Sequence, residues 1–488
     1  MDIINLTSAI RSQYDCGLSV EARVCCDSRT VKEGGVFVAV RGVHADGHSY
    51  IDEAVRRGAG VVVAERPVQV PESVELVLVD NAAEVLGELA QTAAGSPGER
   101  MTVLGVTGTN GKTTVAYLVR AILNRAGIGC GMVGTVGYDI GEKQVLKADN
   151  TTPDSVRLAE MMRRMVNNGL EAMVMECSSH GLDQHRTAGI CFDAAAFTNL
   201  SGDHLDYHGT TEAYLAAKRK LFENLRPDSI AVLNALDPVC ENLLKATEAK
   251  VWRYGIDTDV EISAQVKDQG LWGCDLELSV LGEKSRMRIP LIGYHNVSNC
   301  LAALGLARAA NVTTGTMVEA VGEFPGVPGR LERIECGRNF TVLVDYAHTD
   351  DALDHALKTL RELTGDELIV VFGCGGERDR TKRPRMARVA ETWADKVVVT
   401  SDNPRREDPE QIFADIRLGF SPTGRDKVVE IADRREAIAQ AIRQARSGDV
   451  VLIAGKGHED YQQIGEQYLR FDDREVVREI LTVSNYTP

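Results

Sequence analysis

The sequence has little that would mark a membrane, secreted or nucleic-acid-binding protein. No apolar run approaches the roughly 20 residues that a membrane-spanning helix needs. The N-terminus shows no basic segment followed by an apolar one, so no signal peptide is visible. The formal net charge of −16 argues against nonspecific nucleic-acid binding, which needs a positive surface. We therefore expect neither membrane insertion nor a nucleic-acid partner.

Patterned cysteines are also lacking. The eleven cysteines are scattered, and none of them forms a CxxC pair. An odd number of unpatterned cysteines favours free thiols over disulfides or a zinc site. Free thiols are typical of a reducing compartment, so the sequence predicts a cytoplasmic protein.

The chain is long enough for several α/β domains. A length of 488 residues exceeds what one core usually holds and predicts about three domains. Two joints rich in proline and glycine, at 93–100 and 323–332, give the predicted domains 1–97, 98–328 and 329–488. Apolar runs alternate with helical stretches, most regularly in the last segment. This pattern predicts parallel sheets with helices on both faces and ligand sites at the carboxyl ends of the strands.

The segment 101–127 predicts a phosphate-binding loop between a strand and a helix. Glycines let the backbone N–H groups turn toward phosphate oxygens, Lys112 can reach the β- and γ-phosphates, and the Thr113 hydroxyl can hold Mg²⁺. Val106 stands where the standard pattern has glycine, so the motif is a variant. The predicted ATP-binding residues are Gly108, Thr109, Asn110, Gly111, Lys112, Thr113 and Thr114.

Three further motifs have both an ordinary and a functional interpretation. Glu176 ends an apolar strand and could ligate the same metal, although such a carboxylate is more often a solvated cap. His204 and His208 lie four residues apart without the glutamate of a zinc-protease motif, and a polar turn explains them equally well. Lys218 and Arg219 fit a solvated helix face. The residues alone leave these alternatives open.

The motifs, taken in order, resemble those of the Mur ligases, the ATP-dependent amide-forming enzymes of peptidoglycan synthesis. The resemblance runs from about residue 26 to residue 476 and is strongest to members that add a diamino acid to UDP-N-acetylmuramoyl-L-alanyl-D-glutamate. It implies a UDP-substrate-binding α/β domain, a central P-loop ATPase domain with a parallel sheet and a Rossmann-like C-terminal domain, and it suggests a monomer. The matching motifs are "GVTGTNGKTT", "ECSSHGLDQHR", "NLSGDHLDYHGT", "AYLAAKRKLF", "GYHNVSNCLAA", "PGRLE", "DYAHT", "DNPR" and "GKGHE".

The resemblance implies roles for residues in the first two domains and at the nucleotide. The residues that match catalytic positions are Lys112, Glu176, His204 and Lys218. The implied metal ligands are Thr113, Glu176, His204 and Lys218, the last as a carbamate formed with CO₂. The UDP-sugar contacts are Cys26, Ser28, Val43, His44 and Ala45, and the peptide contacts are Asn150, Thr151, Thr152, Ser178, Gln184 and Arg186. The nucleotide clamp, drawn from two domains, comprises Asn296, Arg330 and Asp345.

The turn "DNPR" carries the prediction of the amino-acid substrate. Arg405 follows Pro404, which stiffens the turn, and a guanidinium matches the two oxygens of a carboxylate. In the family this motif accompanies meso-diaminopimelate, whose second carboxylate lysine lacks. Arg406 stands where relatives have a small polar residue and leaves open which arginine faces the substrate, with Arg405 favoured. The other predicted contacts are Arg378, Asp402, Asn403, Gly455 and Glu459.

Three other functions remain as alternatives. Folylpolyglutamate synthase shares the phosphate loop and the carbamate lysine, but the N-terminal motifs "CDSR" and "VHADG" argue against it. A dinucleotide-binding domain would use "FGCGGERD", in which Arg378 occupies the place of the third glycine. A non-catalytic P-loop protein would show no ATP turnover that depends on both co-substrates.

Overall fold

A computed structural model describes residues 3–12, 19–42, 45–335 and 337–483. The chain falls into two compact units. The first unit comprises Met1–Val266, Leu276–Met287 and His295–Phe324, and the second comprises Lys267–Asp275, Arg288–Tyr294 and Pro325–Pro488. The domain boundaries predicted at 97/98 and 328/329 stay predictions.

The first unit begins with a parallel four-stranded sheet in the order β1-β2-β3-β4. Its apolar strands pair through short, valine-rich segments that are mostly buried. The side chain of Asn81 accepts hydrogen bonds from the first N–H groups of α4 and so fixes the start of that helix. The elements are β1 (Val24–Cys25), β2 (Val36–Val38), β3 (Val61–Ala64), β4 (Glu75–Leu78), α1 (Ile3–Ser12), α2 (Val20–Arg23), α3 (Ile51–Arg56) and α4 (Ala82–Ala93).

A larger sheet follows in the order β14-β13-β12-β11-β10-β9-β5-β8-β6-β7. Strand β5 lies between β8 and β9 and is parallel to both. Its carboxyl end is therefore flanked on both sides by the carboxyl ends of these two strands. The strands are β5 (Thr102–Thr107), β6 (Cys130–Val133), β7 (Tyr138–Asp139), β8 (Ala172–Glu176), β9 (Ala194–Phe197), β10 (Ile230–Asn234), β11 (Lys250–Ile256), β12 (Ile262–Gly270), β13 (Gly273–Val280) and β14 (Glu283–Ile289). The helices are α5 (Lys112–Arg125), α6 (Ser155–Asn167), α7 (Ser179–Asp183), α8 (Leu205–His208), α9 (Thr211–Glu223), α10 (Cys240–Ala246), α11 (Tyr294–Ala309) and α12 (Thr314–Gly322).

The second unit holds a sheet in the order β15-β16-β20-β17-β18-β19, in which only β15 among these strands is antiparallel to its neighbour. Residues of α13, α14 and α15 pack in one buried apolar cluster, and residues of α16 and α17 pack in another. The strands of this sheet are β15 (Glu332–Ile334), β16 (Thr341–Asp345), β17 (Leu368–Phe372), β18 (Lys396–Val399), β19 (Val428–Glu430) and β20 (Val450–Ala454), and a separate antiparallel pair is formed by β21 (Tyr461–Ile464) and β22 (Gln467–Arg470). The helices are α13 (Asp350–Leu363), α14 (Lys382–Trp393), α15 (Pro409–Arg417), α16 (Arg434–Gln444) and α17 (Asp473–Val483).

The predicted α/β class, with largely parallel sheets, is confirmed. Continuous apolar runs in the sequence became strands that are buried on both faces, as in "LIVVF" and "VVLIA". Across the part of the chain that the structure describes, none of the helices combines the length and the apolar character needed to cross a membrane.

A fully buried ion pair joins the last two helices. The Arg434 guanidinium donates to both carboxylate oxygens of Asp473, at 2.8 and 2.7 Å, and neither side chain is exposed. Arg434 also donates to the carbonyl oxygen of Ala454 at the end of β20, at 3.0 Å. The pair therefore ties the start of α16 both to α17 and to a strand end.

We expect Asp473→Asn to lower the free energy of unfolding by about 3–5 kcal/mol, because it leaves a buried guanidinium without its counter-charge. Arg435→Gln is the matched control, since Arg435 pairs with Glu479 between the same helices but in an exposed position. The control should lose no more than about 1 kcal/mol. Urea unfolding of both variants measures the difference, and equal losses would contradict the assignment of a buried pair.

Candidate active site

The phosphate loop lies between β5 and α5, at the carboxyl end of a central strand. Gly108 has a φ of 143°, and a Cβ built there would stand 1.9 Å from Thr198 Oγ1. Gly111 precedes α5 with a φ of 87°. Residues other than glycine would be strained at these two positions, so the two glycines determine the backbone conformation of the loop.

Two lysine amines converge on one carbonyl oxygen of this loop. Lys112 Nζ donates to the carbonyl oxygens of Gly108 and Thr109, at 2.9 and 2.7 Å. Lys218 Nζ donates to the same Gly108 oxygen at 2.7 Å and lies 4.2 Å from the ring centroid of Tyr214. Burial and the nearby Lys112 charge lower the pKa of Lys218 well below its usual range.

The prediction of a solvated helix face is wrong for Lys218 and is confirmed for the neighbouring Arg219. Lys218 is 1% exposed, whereas Arg219 points outward and pairs with Glu223 at 2.7 Å. Helix α9 therefore directs the Lys218 side chain into the protein interior, toward the phosphate loop.

Glu176 is a buried carboxylate at the end of β8, so the solvated-cap interpretation is wrong. It is 2% exposed and accepts a hydrogen bond from Thr113 Oγ1 at 2.9 Å. It also accepts from the backbone N–H of Thr135 at 2.9 Å and from the Thr135 hydroxyl at 3.1 Å. A carboxylate and a hydroxyl beside a phosphate loop are oxygen ligands of the kind that Mg²⁺ prefers.

His204 lies in an aromatic cluster beside this loop. Its ring centroid is 4.8 Å from that of His180 and 6.1 Å from that of Tyr214, the ring that also contacts Lys218. The His204 side chain is 47% exposed, and its φ is 52°. Within the described ranges, no three His, Cys, Asp or Glu residues are grouped closely enough to hold a metal ion. The joint role of the predicted metal ligands therefore stays a prediction.

The predicted peptide contacts form a second network next to Glu176. The Thr152 hydroxyl donates to the Glu176 carbonyl oxygen at 2.9 Å and accepts from the Ser178 N–H at 2.9 Å. Arg186 donates to the Thr152 carbonyl oxygen at 2.7 Å and to the Gln184 side chain at 2.7 Å. Four of the six predicted residues thus lie together.

The other two predicted peptide residues border the same network. The hydroxyl of Thr151 is 3.1 Å from that of Thr135, which bonds to Glu176. Asn150 is held through its backbone, whose carbonyl oxygen accepts a hydrogen bond from Tyr138 OH at 2.6 Å.

The predicted UDP-sugar residues occur in loops of the N-terminal sheet. Ser28 is buried, and its hydroxyl donates to Glu53 Oε2 at 2.9 Å, while Cys26 is exposed. The Ala45 carbonyl oxygen accepts from the Gly42 N–H at 2.8 Å. The other two predicted contacts, Val43 and His44, lie outside the described residues.

In the second unit, polar side chains converge where β18 and β20 end. Asn403 Nδ2 donates to Glu459 Oε2 at 2.9 Å, and its Oδ1 accepts from the Gln463 N–H at 2.8 Å. Lys456, which is fully buried, contacts Glu459 Oε2 at 3.4 Å. Burial raises the pKa of Glu459, and the Lys456 charge opposes that rise. Asp402 is also buried, close to Gly455, where a Cβ would stand 2.9 Å from its Oδ2.

The two adjacent arginines of the turn point to different surroundings. Arg405 adopts a φ of 54°, and its Nη1 donates to the carbonyl oxygen of Gly376 at 2.8 Å, across the loop that follows β17. Arg406 forms an exposed pair with Glu466. Arg378, on the same loop as Gly376, is exposed. The favoured arginine is thus the one held against a strand-end loop.

The predicted nucleotide-clamp residues are held locally. Asp345 ends β16, and its carboxylate accepts from the N–H groups of Leu331 and Ala347, at 2.6 and 2.8 Å. Burial raises the pKa of Asp345, against the effect of Arg330. Asn296 belongs to the first unit, and its Oδ1 accepts a hydrogen bond from the Asn299 side chain at 3.1 Å.

Sequence reasoning did not single out two residues that the geometry places in these networks. Thr135 bonds to Glu176 through both its backbone and its hydroxyl, yet it occurs in a plain turn between β6 and β7. Lys456 lies between Asn403 and Glu459, and its fully buried amine also donates to the Tyr461 carbonyl oxygen. The motif "GKGHE" was the available signal for Lys456.

Comparison with protein families gives matches along most of the chain. Residues 22–93 match the family described as "Mur ligase family, catalytic domain", and residues 106–307 match "Mur ligase middle domain". Residues 329–457 match "Mur ligase, glutamate ligase domain". The match over residues 22–93 covers the N-terminal sheet that carries the predicted UDP-sugar contacts.

Individual proteins are similar over nearly the full length. The chain is 45% identical over 458 residues to UDP-N-acetylmuramoyl-L-alanyl-D-glutamate--2,6-diaminopimelate ligase of Geobacillus thermodenitrificans, covering 93% of each protein. It is 42% identical over 470 residues to the ligase of that name from Bacillus cereus, covering 95% of this chain and 94% of the relative. A solved structure of a ligase of that name is 35% identical, with a TM-score of 0.72 over 95% of both chains.

We expect Lys112→Ala to weaken ATP binding by about 10- to 100-fold, because it removes a charge-assisted contact to phosphate. Isothermal titration calorimetry with a non-hydrolysable ATP analogue measures the affinity. Lys143→Ala, at an exposed lysine of the same unit, is the control and should leave the affinity unchanged. An unchanged affinity in a folded Lys112→Ala variant would show that this amine does not bind phosphate.

Proposed function

This chain belongs to the Mur ligase family, and we propose that it adds meso-diaminopimelate to UDP-N-acetylmuramoyl-L-alanyl-D-glutamate at the expense of ATP. The reaction is an ADP-forming amide synthesis in the cytoplasmic assembly of peptidoglycan precursors, carried out by a monomer. The observation that carries the proposal is the phosphate loop on whose Gly108 carbonyl Lys112 and Lys218 both converge. Two amines at one loop suit a reaction in which a charged phosphate group is first transferred and then released.

The chemistry requires activation of a carboxylate, which is itself a poor acylating group. A carboxylate oxygen of the UDP-linked dipeptide attacks the γ-phosphorus of ATP, and ADP leaves. The amine of the diamino acid then attacks the acyl carbon, loses a proton and expels inorganic phosphate, which forms the amide. The first step depends mainly on positioning and charge neutralisation, because phosphoryl transfer leaves the protein little covalent work.

Lys112 and the N–H groups of the loop bind and orient the transferred phosphate. Thr113 and Glu176 would hold Mg²⁺, with His204 and a modified Lys218 as further ligands. When bound, the ion supplies positive charge against the phosphate oxygens. The network of Thr152, Ser178, Gln184 and Arg186 is placed beside Glu176 to orient the peptide end of the UDP substrate.

Lys218 is proposed to carry a carbamate. The Lys218 ammonium first loses a proton; the neutral amine nitrogen then bonds to the carbon of CO₂ and releases a second proton, so that a cation becomes an anion. A cation fully buried beside the Lys112 ammonium is costly, and the carbamate would replace this repulsion with attraction. The aliphatic stem and the Tyr214 ring leave the amine facing the phosphate loop.

The amino-acid site is proposed at the strand ends of the second unit. Glu459, Asp402 and Asn403 offer acceptors for an ammonium group. Arg405 offers paired donors for the second carboxylate of meso-diaminopimelate, and Arg378 offers a further cation. Lysine lacks the second carboxylate, so the donors that face it would have no acceptor. A site whose polar groups are left without their partners binds the substrate that lacks the matching group much more weakly.

Lys218→Ala should lose about 100-fold or more in kcat, because it removes the proposed anion from the phosphate site. Acetate or formate should restore part of the activity by standing in for the carbamate. Arg219→Ala, one residue further along α9, is the control and should keep normal activity. In ¹³C-bicarbonate, NMR should show a carbamate signal in the unaltered protein that Lys218→Ala lacks. Full activity in Lys218→Ala without added acid would refute the modification.

The function itself is tested by phosphate release, which should require the UDP-linked dipeptide and meso-diaminopimelate together. L-Lysine should give a kcat/KM lower by about two orders of magnitude or more. Arg405→Ala should raise the KM for meso-diaminopimelate about 10- to 100-fold and change the KM for ATP by no more than about twofold.

Arg406→Ala is the matched control for this experiment, because Arg406 lies next to Arg405 and pairs outward with Glu466. Its kinetic constants should stay normal. Equal turnover of lysine and meso-diaminopimelate by the unaltered protein would overturn the proposed substrate. An unchanged KM in Arg405→Ala would overturn the role of that residue.

A further inference from the structure

Arg383 is a fully buried guanidinium in the first turn of α14, close to the proposed amino-acid site but outside the residues assigned to it. Its two terminal nitrogens donate to both carboxylate oxygens of Glu407, at 2.8 and 2.7 Å. One of them also donates to Asp415 at 2.8 Å, and the other donates to the Gly375 carbonyl oxygen at 3.3 Å.

The position of Arg383 is unfavourable for the helix that carries it. The first turn of a helix carries the positive end of its dipole, and no acidic residue of α14 lies there. A buried cation at this point needs acidic partners from elsewhere, and it has them in Glu407 and Asp415. The stability of α14 therefore does not explain why an arginine stands at this position. The contacts of Arg383 with neighbouring loops do explain it.

Glu407 extends these contacts to the loop after β17. Its carboxylate accepts a hydrogen bond from the backbone N–H of Glu377 at 3.1 Å, and its own N–H donates to the Pro404 carbonyl oxygen at 3.1 Å. The hydrogen bonds from Arg383 hold the pKa of Glu407 at about 2, so the carboxylate stays charged.

Each of the two loops joined in this way carries one of the proposed carboxylate-binding arginines. The turn 402–407 carries Arg405, and the loop 373–378 carries Arg378. The loops meet closely, since a Cβ at Gly376 would stand 1.9 Å from the Pro404 carbonyl oxygen. The Gly376 N–H also donates to the Asn403 carbonyl oxygen at 2.9 Å.

We propose that the buried pair of Arg383 and Glu407 is a positioning device that fixes the separation of Arg405 from Arg378 and so sets the preference for an amino acid with a second carboxylate. Neither member touches the substrate in this proposal, which rests on the proposed function. The Gly376 carbonyl oxygen that accepts from Arg405 belongs to the clamped loop, so a shift of that loop would release the guanidinium. Recognition of a carboxylate by two arginines depends on their spacing, because each fork has a fixed geometry.

The test is steady-state kinetics of Glu407→Gln, which keeps the size of the side chain but removes the charge that pairs with Arg383. We expect the KM for meso-diaminopimelate to rise about tenfold, while the KM for ATP and for the UDP-linked dipeptide changes by no more than about twofold. The ratio of kcat/KM for meso-diaminopimelate over L-lysine should fall by about tenfold, because only the amino acid with the second carboxylate loses contacts.

A double-mutant cycle with Arg405→Ala separates positioning from a local structural role. If the pair acts through Arg405, the effect of Glu407→Gln should largely disappear in the Arg405→Ala background. Arg383→Lys should reproduce the kinetic pattern, since an ammonium cannot make the paired contact to Glu407. If Arg383→Lys does not fold, as its melting temperature will show, the comparison of Glu407→Gln with the conservative variant Glu407→Asp still tests the inference.

Arg361→Lys is the matched control, because Arg361 pairs with Asp395 in the same unit at 2.7 Å, just before β18 begins, at the amino edge of the sheet. It should change none of the three KM values. An unchanged KM for meso-diaminopimelate in folded Glu407→Gln, an equal rise for all three substrates, or additivity with Arg405→Ala would each overturn the inference. Failure of the unaltered protein to use meso-diaminopimelate would instead overturn the proposed function.

Discussion

Parallel pairing brings the carboxyl ends of neighbouring strands to a common edge, and the position of the candidate sites outside the N-terminal sheet depends on this constraint. In the first unit the ends of β5 and β8 lie side by side, and there Lys218 contacts Gly108 while Thr113 contacts Glu176. In the second unit the ends of β17, β18 and β20 do the same for Arg405, Asn403 and Glu459. Strand interiors supply the buried apolar core, so the polar side chains of these sites come from loops and from helices such as α5 and α9.

Buried cations are energetically costly, and contacts with glutamates and carbonyl oxygens offset this cost at two of them. Lys456 and Arg383 are fully buried, and each contacts a glutamate and a backbone carbonyl oxygen. Lys218 differs, because its amine donates to the neutral carbonyl oxygen of Gly108 and the nearby charge is that of Lys112. A buried amine next to a second cation is the least stable of these arrangements and therefore the one most changed by modification or by a bound anion.

The sequence predicted the class of fold and the phosphate loop because both follow from local rules. Continuous apolar runs require burial on both faces, and Gly108 and Gly111 require backbone angles that other residues avoid. The residue pattern alone did not separate Lys218 from Arg219, since only packing determines which of two neighbours on α9 faces inward, whereas the family resemblance singled out Lys218. Thr135 escaped notice because its importance comes from a hydrogen bond to Glu176, 41 residues away. Tertiary contacts of this kind leave no local signal.

The choice between lysine and arginine at these sites follows the shape of the group to be bound. Lys112 contacts the phosphate loop, where in the proposed reaction the charge of the transferred phosphate moves and a compact ammonium can follow it. Arginines occupy the strand ends of the second unit, where a planar fork can match a carboxylate whose position does not change. A fork is useful only when its orientation is fixed, which accounts for the left-handed backbone of Arg405 and its hydrogen bond to Gly376. The same requirement is the basis of the role proposed for a second, fully buried arginine, Arg383: its charge pair with Glu407 would hold the geometry that selects one amino acid over another without contacting the substrate.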